Sequence, residues 1–476
     1  MAPKASPSAP RHARRHLTTL SVVASAIALC AAPAAAQPAD AIPAKYRDVA
    51  NRIIAAAQAD SSAAWNRIAE LTDRFGHRLS GSTALEQAIE WTAAAMTRDG
   101  LQNVRREKVM VPHWVRGAES LELVSPRRQK LPMLGLGGSI ATPAGGITAE
   151  VMVVASFEEL TRRAAEAKGK IVLYDAEWRD YGFNGAFRRQ GAIAAAKVGA
   201  VASLARAAGP YSMRTPHTGN MSYDSTVTRI PHASVTAEDA MMMRRMIARG
   251  ETVRVTLTMS AQTLPDAQSH NVMGELRGRE KPDEIVVMGG HIDSWDVGQG
   301  AMDDAGGVVV AWEAIKLLKK LGLTPRRTIR VVGWTNEENG GRGGAAYRDA
   351  HQSEPHQLAI ESDEGVFSPT GFGFTGSPEA RKIIEAIGSL LTPINAGTIE
   401  ASGGGADIGP IMATGVPGMG LNVDGTRYFW FHHTDADTPD KLDPAEVQRC
   451  VAVMAVMAYI AADIEQTLPR AVPASR

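Results

Sequence analysis

Apolar residues recur every third or fourth position through 43–75, where "YRDVANRIIAAA" and "AAWNRIAELTDRF" predict helices. "GHRLSGS" (76–82) reads as a turn capping a further helix, "TALEQAIEWTAAAMTRDG", with His77 and Arg78 as packing and capping residues. From about 118 to 262 the pattern shortens. "ITAEVMVVA", "GKIVLYDA" and "TVRVTLTM" predict strands between Gly/Pro-rich turns, and "GAFRRQGAIAAAKVGAVASLARAAG" a helix feeding a buried strand. Beyond 265, strand and helix alternate: "EIVVMGG", "GGVVVAWEAIKLLKKLG", "RTIRVVGWT", "GGAAYRDAHQ", "QLAIES". That alternation predicts an α/β sheet with helices on both faces. No period of 20–50 residues recurs, which excludes a repeat array.

The pattern divides the chain into a core over 41–117 and 263–476 and an inserted β-rich segment over 118–262. A length of 476 residues agrees, since it exceeds what one hydrophobic core organises. Residues 1–36 stand apart. Lys4, Arg11, Arg14 and Arg15 precede an apolar run from Leu17 to Leu29, and Ala34-Ala35-Ala36 supplies a small-x-small cleavage site. The expectation is a signal peptide, export to the periplasm or outside the cell, and no membrane anchor after cleavage. Arg14-Arg15 hints at twin-arginine export. Cys450 is then the one cysteine left, so no intramolecular disulfide can form. Formal net charge is zero, which argues against a nucleic-acid partner.

Candidate chemistry gathers where strands end. In open α/β sheets ligands bind beyond the carboxyl ends of strands. "VVMGG" runs into His291 and Asp293, "RVVGWT" into Glu337-Glu338, and "LAIES" into Asp363. Asp303-Asp304 opens the intervening helix, and "FWFHHTDADT" adds His432 and His433. Singly, each has a bland reading: a cap, a helix-dipole charge, a solvated loop pair. Together they put several carboxylates at one sheet edge, where they repel unless a cation sits among them. Imidazole with carboxylate suits zinc, and the donors outnumber what one catalytic zinc uses, which predicts two Zn2+ per chain. Neighbouring residues of an extended chain face opposite ways, so one of Glu337 and Glu338 binds metal while the other takes a proton from water. Asp293 is placed to accept the far N–H of His291.

"GHIDSWDVGQGAMDDAGG", "WTNEENGG", "ESDEG" and "FHHTDADT" together resemble the co-catalytic zinc aminopeptidase and glutamate carboxypeptidase family over roughly 41–466. The resemblance implies a zinc-exopeptidase mixed β-sheet flanked by helices. It further implies that Asp303 bridges the two zinc ions, one bound also by His291 and Asp363, the other by Glu338 and His433. Glu337 becomes the general base, Asp293 the residue orienting His291, and His432 stands where some relatives place a tyrosine that stabilises the tetrahedral intermediate. "GKIVLYD" and the helix after it resemble the protease-associated domain, implying a lid over 118–262 that carries no metal ligand. The substrate implied is a dipeptide or short peptide, with a homodimer as the candidate assembly. An aminopeptidase of the same family, a glutaminyl cyclase with one zinc, and a binding protein on a dead peptidase fold are the competing readings. A carboxylate anchor would come from Arg342, Arg427 or Lys441, and an amine anchor from Asp304, Glu364 or Asp407. "SGGGADIGP" (402–410) is expected to shape the pocket.

Overall fold

The opening helices follow their periodicity. Helix Ile42–Gln58 buries Ile42, Tyr46, Ala50, Ile53, Ile54 and Ala57, one stripe at helical spacing. Helix Ala63–Phe75 does the same with Ala64, Ile68, Leu71 and Thr72. Helix Thr83–Arg98 starts where the Ser82 hydroxyl accepts the backbone N–H of Leu85. This computed structural model describes residues 39–470; the leader expected at 1–36 lies outside the described residues.

Sixteen strands follow: β1 Gln102–Val115, β2 Glu119–Ser125, β3 Gln129–Leu131, β4 Met133–Gly135, β5 Ile147–Val154, β6 Ile171–Tyr174, β7 Ala202–Arg206, β8 His232–Val235, β9 Arg254–Met259, β10 Gln262–Leu276, β11 Lys281–His291, β12 Arg327–Trp334, β13 His356–Glu361, β14 Pro369–Thr375, β15 Thr398–Glu400 and β16 Gly418–Val423. They make two eight-stranded sheets.

The first has the order β1-β10-β12-β11-β13-β16-β14-β15 and is mixed. Its centre is parallel (β12-β11-β13-β16), whereas β1-β10-β12 and β14-β16 pair antiparallel. β12 and β13 are buried at every position, their apolar residues packing on both faces and buried Arg330 paired with Glu275 and Glu354. Alternation sorts β11: Val286 and Met288 join the large core with helices Gly306–Lys320 and Pro444–Asp463, while Ile285 and Val287 join Tyr347, Ile408 and Ile411 on the other face. Among the described residues, Pro444–Asp463 alone is long and apolar enough to cross a membrane, and it is buried in this core.

The second sheet, β3-β2-β9-β5-β6-β7-β8-β4, takes all its strands from Glu119–Met259. Strands β5, β6, β7 and β8 pair parallel, and such pairs need crossovers, one of them helix Tyr181–Lys197. The segment is therefore more α/β than the β-rich texture of its sequence suggests. The chain leaves the first sheet at Val115 and re-enters at Gln262, residues that are paired in register.

Candidate metal centre

Parallel pairing sets three strand ends level: His291 lies opposite Trp334, and Gly289 opposite Glu361. The residues just past those ends converge. His291 Nε2 is 3.1 Å from Asp303 Oδ1 and 3.1 Å from Asp363 Oδ1. His433 Nε2 is 3.1 Å from Asp303 Oδ2 and 2.9 Å from Glu338 Oε2. One carboxylate thus turns an oxygen to each of two donor groups.

The loop carrying Asp303 is built by backbone hydrogen bonds. Ala301–Ala305 is irregular, with Asp303 (φ −129°, ψ 82°) and Asp304 (φ −141°, ψ 43°) outside helical geometry. Asp304 faces inward: its carboxylate accepts from His291 N (3.1 Å) and Gly307 N (2.8 Å), locking strand end to helix start. The bland capping reading therefore holds for Asp304 and fails for Asp303. A Cβ at Gly290 or Gly307 would collide with the Asp304 carboxylate, which accounts for the glycine pairs around the motif. Asp437 accepts from the backbone N–H groups of Ala301 (2.9 Å), Met302 (2.9 Å) and Asp303 (3.3 Å). Arg78, fully buried, donates to the carbonyls of Ile292, Gly76, Gln299 and Gly300. The packing role read for it is real, but what it packs is this loop.

The expected role of Asp293 changes. His291 Nδ1 lies 3.0 Å from the Asp293 backbone carbonyl and 3.8 Å from its carboxylate. The carbonyl orients the imidazole; the carboxylate instead accepts from Glu337 N (3.1 Å) and Glu338 N (3.4 Å). It holds the two glutamates in the turn beyond the end of β12. Both line the cavity, with Glu338 turned to His433 and the backbone N–H of Trp295.

Sequence reasoning missed His217, which comes from the inserted segment. Its Nε2 is 3.2 Å from His432 Nδ1, and its ring stacks on His433 at 5.2 Å. The inserted segment thus brings a side chain of its own to the site, where His217, His432 and His433 have ring nitrogens within 4.8 Å of one another. The signal was length: residues 207–231 form no helix or strand, and irregular stretches that long are usually functional.

Hydrogen bonds separate the two adjacent histidines. His217 Nδ1 is buried without a partner. A buried bare acceptor is tolerated better than an orphaned N–H, so the His217 proton sits on Nε2 and is donated to His432 Nδ1. His432 then carries its own proton on Nε2, 3.2 Å from Asp303 Oδ2. His433 Nδ1 lies between the Thr218 carbonyl at 3.4 Å and Arg188 Nη1 at 3.3 Å, while its Nε2 points at Asp303 and Glu338. His433 Nε2 thus meets the carboxylates of both Asp303 and Glu338, whereas His432 Nε2 meets Asp303.

Electrostatics support a cation. Burial and the neighbouring Asp363, Glu338 and Asp303 charges push Glu337 well above the carboxyl range. Burial, then Asp303, raises Glu338 to about 7. Asp303 Oδ2 is buried without a hydrogen bond, although two imidazole nitrogens approach it. An orphaned anionic oxygen among imidazole and carboxylate donors fits divalent metal, whose charge reverses these penalties.

A cavity of about 340 Å3 opens on Asp303, walled by Tyr181 and Arg188 of the insertion and by Glu337, Asp363, Tyr428 and Phe429. A second, of about 390 Å3, shares Asp363 and Glu364 with it and is lined by Glu400 and Ser402–Gly405, so the glycine loop shapes the pocket as expected. The anchors considered from sequence fare unevenly. Arg342 pairs with Asp266, Arg427 with Glu446, and Lys441 with Asp440, and none lines either cavity. Asp304 is spent on backbone and Asp407 is buried, whereas Glu364 faces both cavities.

Acid and imidazole donors at the carboxyl edge of a mixed sheet define a metallohydrolase. The chain belongs to peptidase family M28: that family's description matches residues 271–458, and full-length relatives agree. Carboxypeptidase Q of Mus musculus is 47% identical over 431 residues, which span 90% of this chain and 92% of that protein. Among solved structures, a peptidase M28 precursor from Shewanella amazonensis superposes with TM-score 0.86 at 35% identity, covering 90% of this chain and 99% of its own. A zinc aminopeptidase from Bacillus subtilis shares the fold, with TM-score 0.63 at 21% identity over 85% of this chain and 98% of its own. The protein is accordingly a metallopeptidase, the enzyme class its motifs predict.

Proposed function

We propose that the protein is an exported dinuclear zinc exopeptidase acting on dipeptides and short peptides. The observation that carries this reading is the Asp303 carboxylate, with Oδ1 against His291 and Oδ2 against His433. His291, Asp363 and Asp303 would hold one ion, and Glu338, His433 and Asp303 the other. Carboxypeptidase and aminopeptidase names among the relatives support exopeptidase chemistry, and the leader pattern of 1–36 supports export.

Bound there, the ions would supply Lewis acidity toward water and the scissile carbonyl. Glu337 has its carboxylate in the cavity and a raised proton affinity, as a general base requires. It takes a proton from the attacking water and returns it to the leaving amine nitrogen. His432 donates Nε2–H to the carbonyl oxygen as negative charge develops, oriented for this by His217. Tyr181 and Phe429, stacked at 4.9 Å, wall the cavity against water.

Glu364 and Glu400 in the adjoining cavity would also receive a free amine, which favours an aminopeptidase as the second reading. Comparing zinc-loaded protein on free, N-acetylated and C-amidated dipeptides and on a long peptide tests both. Release of terminal residues from short substrates is expected. Cleavage within the long peptide, or no hydrolysis at all, would overturn the reading.

A further inference from the structure

Resting on the exopeptidase reading, we propose that Arg188, contributed by the inserted segment, anchors the free C-terminal carboxylate of the substrate. It is the one Lys or Arg side chain lining the cavity beside Glu337 and Asp363. The rest of that wall is acidic, imidazole or aromatic, so an anionic substrate end would be repelled everywhere else in it.

The guanidinium is held for such a task and left incomplete. Nη1 donates to the Tyr181 hydroxyl at 2.7 Å and the Thr218 carbonyl at 3.1 Å, and lies 3.3 Å from His433 Nδ1. The cation also lies 5.2 Å from the centre of the Tyr181 ring. Its other edge is unspent: Nε is buried without a hydrogen-bond partner, and Nη2 makes none either. Nε–H and Nη2–H form the parallel donor pair that a carboxylate accepts with both oxygens. Arg188 is only 7% exposed, and a buried guanidinium with a free fork is costly unless an anion completes it. Gly219 makes room for it, because a Cβ there would strike the guanidinium. The arginine sits about two turns into helix Tyr181–Lys197 and carries no motif, which is why sequence favoured Arg342, Arg427 and Lys441.

The test compares alanyl-leucine with its C-terminal amide in wild type, Arg188→Gln and Arg188→Lys, all with metal content measured. Calorimetry with reduced-amide analogues bearing a free carboxylate or a carboxamide supplies binding constants independent of turnover. Wild type should favour the free acid in kcat/KM and in Kd. In Arg188→Gln that preference should fall by about 10- to 100-fold, the worth of hydrogen bonds to a charged partner, with Arg188→Lys intermediate. If Arg188 only braced Thr218, Tyr181 and His433, both substrates would suffer together and the ratio would stand, which overturns the proposal. A wild-type preference near one overturns it without any variant. Because calorimetry reads the anchor without turnover, a failure to hydrolyse would count against the exopeptidase reading and not against Arg188.

Discussion

Adjacent acids do opposite work in two places in this chain. Glu338 meets His433 while Glu337 faces the cavity, and Asp303 meets two histidines while Asp304 caps backbone. Glu337→Gln should lower kcat by about 10²- to 10⁴-fold with metal content kept, as steady-state kinetics beside metal analysis would show. Loss of metal in step with activity would make Glu337 a ligand. Asp303→Ala should release at least one ion. Asp304→Ala should instead act on folding, costing roughly 2 kcal/mol or more by orphaning the N–H groups of His291 and Gly307, measured by urea unfolding of the metal-free protein. The acids and imidazoles that converge were legible in sequence because strand ends announce themselves. The partner of each was not: nothing in "GHID" says that the Asp293 carbonyl, and not its carboxylate, meets the imidazole.

At the scale of elements, the metal loop is clamped from outside its own sequence. Arg78 sits before the third helix and ties together residues 292 and 299–300. Burial lowers it to about 10 against the Asp437, Asp293 and Asp304 charges that favour its cationic form. Arg78→Met should cost about 3–5 kcal/mol, since those buried acids lose their counter-charge. A loss under 1 kcal/mol in urea melts would refute the clamp. At the opposite end of the sheet His356 starts β13, bonded to the Tyr347 hydroxyl at 2.8 Å, and burial lowers it to about 4. Its folded value lies below the unfolded one, so below about pH 6.5 the unfolded chain takes up a proton that the folded chain refuses. Stability from this group is full above pH 6.5 and is lost as pH falls toward 4. From pH 7 to 5 wild type should lose about 2 kcal/mol that His356→Gln does not. The variant comparison cancels His351, which Glu107 and Glu354 push the other way. Equal losses would refute the assignment.

Across the whole molecule, the centre is not the property of one sheet. Its acids come from the first sheet, while His217, Tyr181 and Arg188 come from the segment of the second. Replacing 120–260 by a linker should therefore remove most of kcat, beyond any relaxation of peptide-length preference that a lid alone would give. The alternation after 265 was enough to place the parallel strands and the ends past which the acids and imidazoles gather. The contribution of the insertion was hidden because His217 lies in an aperiodic stretch 74 residues before His291, and no pattern marks contacts made across such a gap. In the proposed dinuclear centre one carboxylate, Asp303, would serve both ions. Metal-free protein titrated with zinc and counted by mass spectrometry of the metal should bind two ions per chain in wild type and Glu337→Gln, and fewer in Asp303→Ala. One ion in wild type, or two retained by Asp303→Ala, would contradict it.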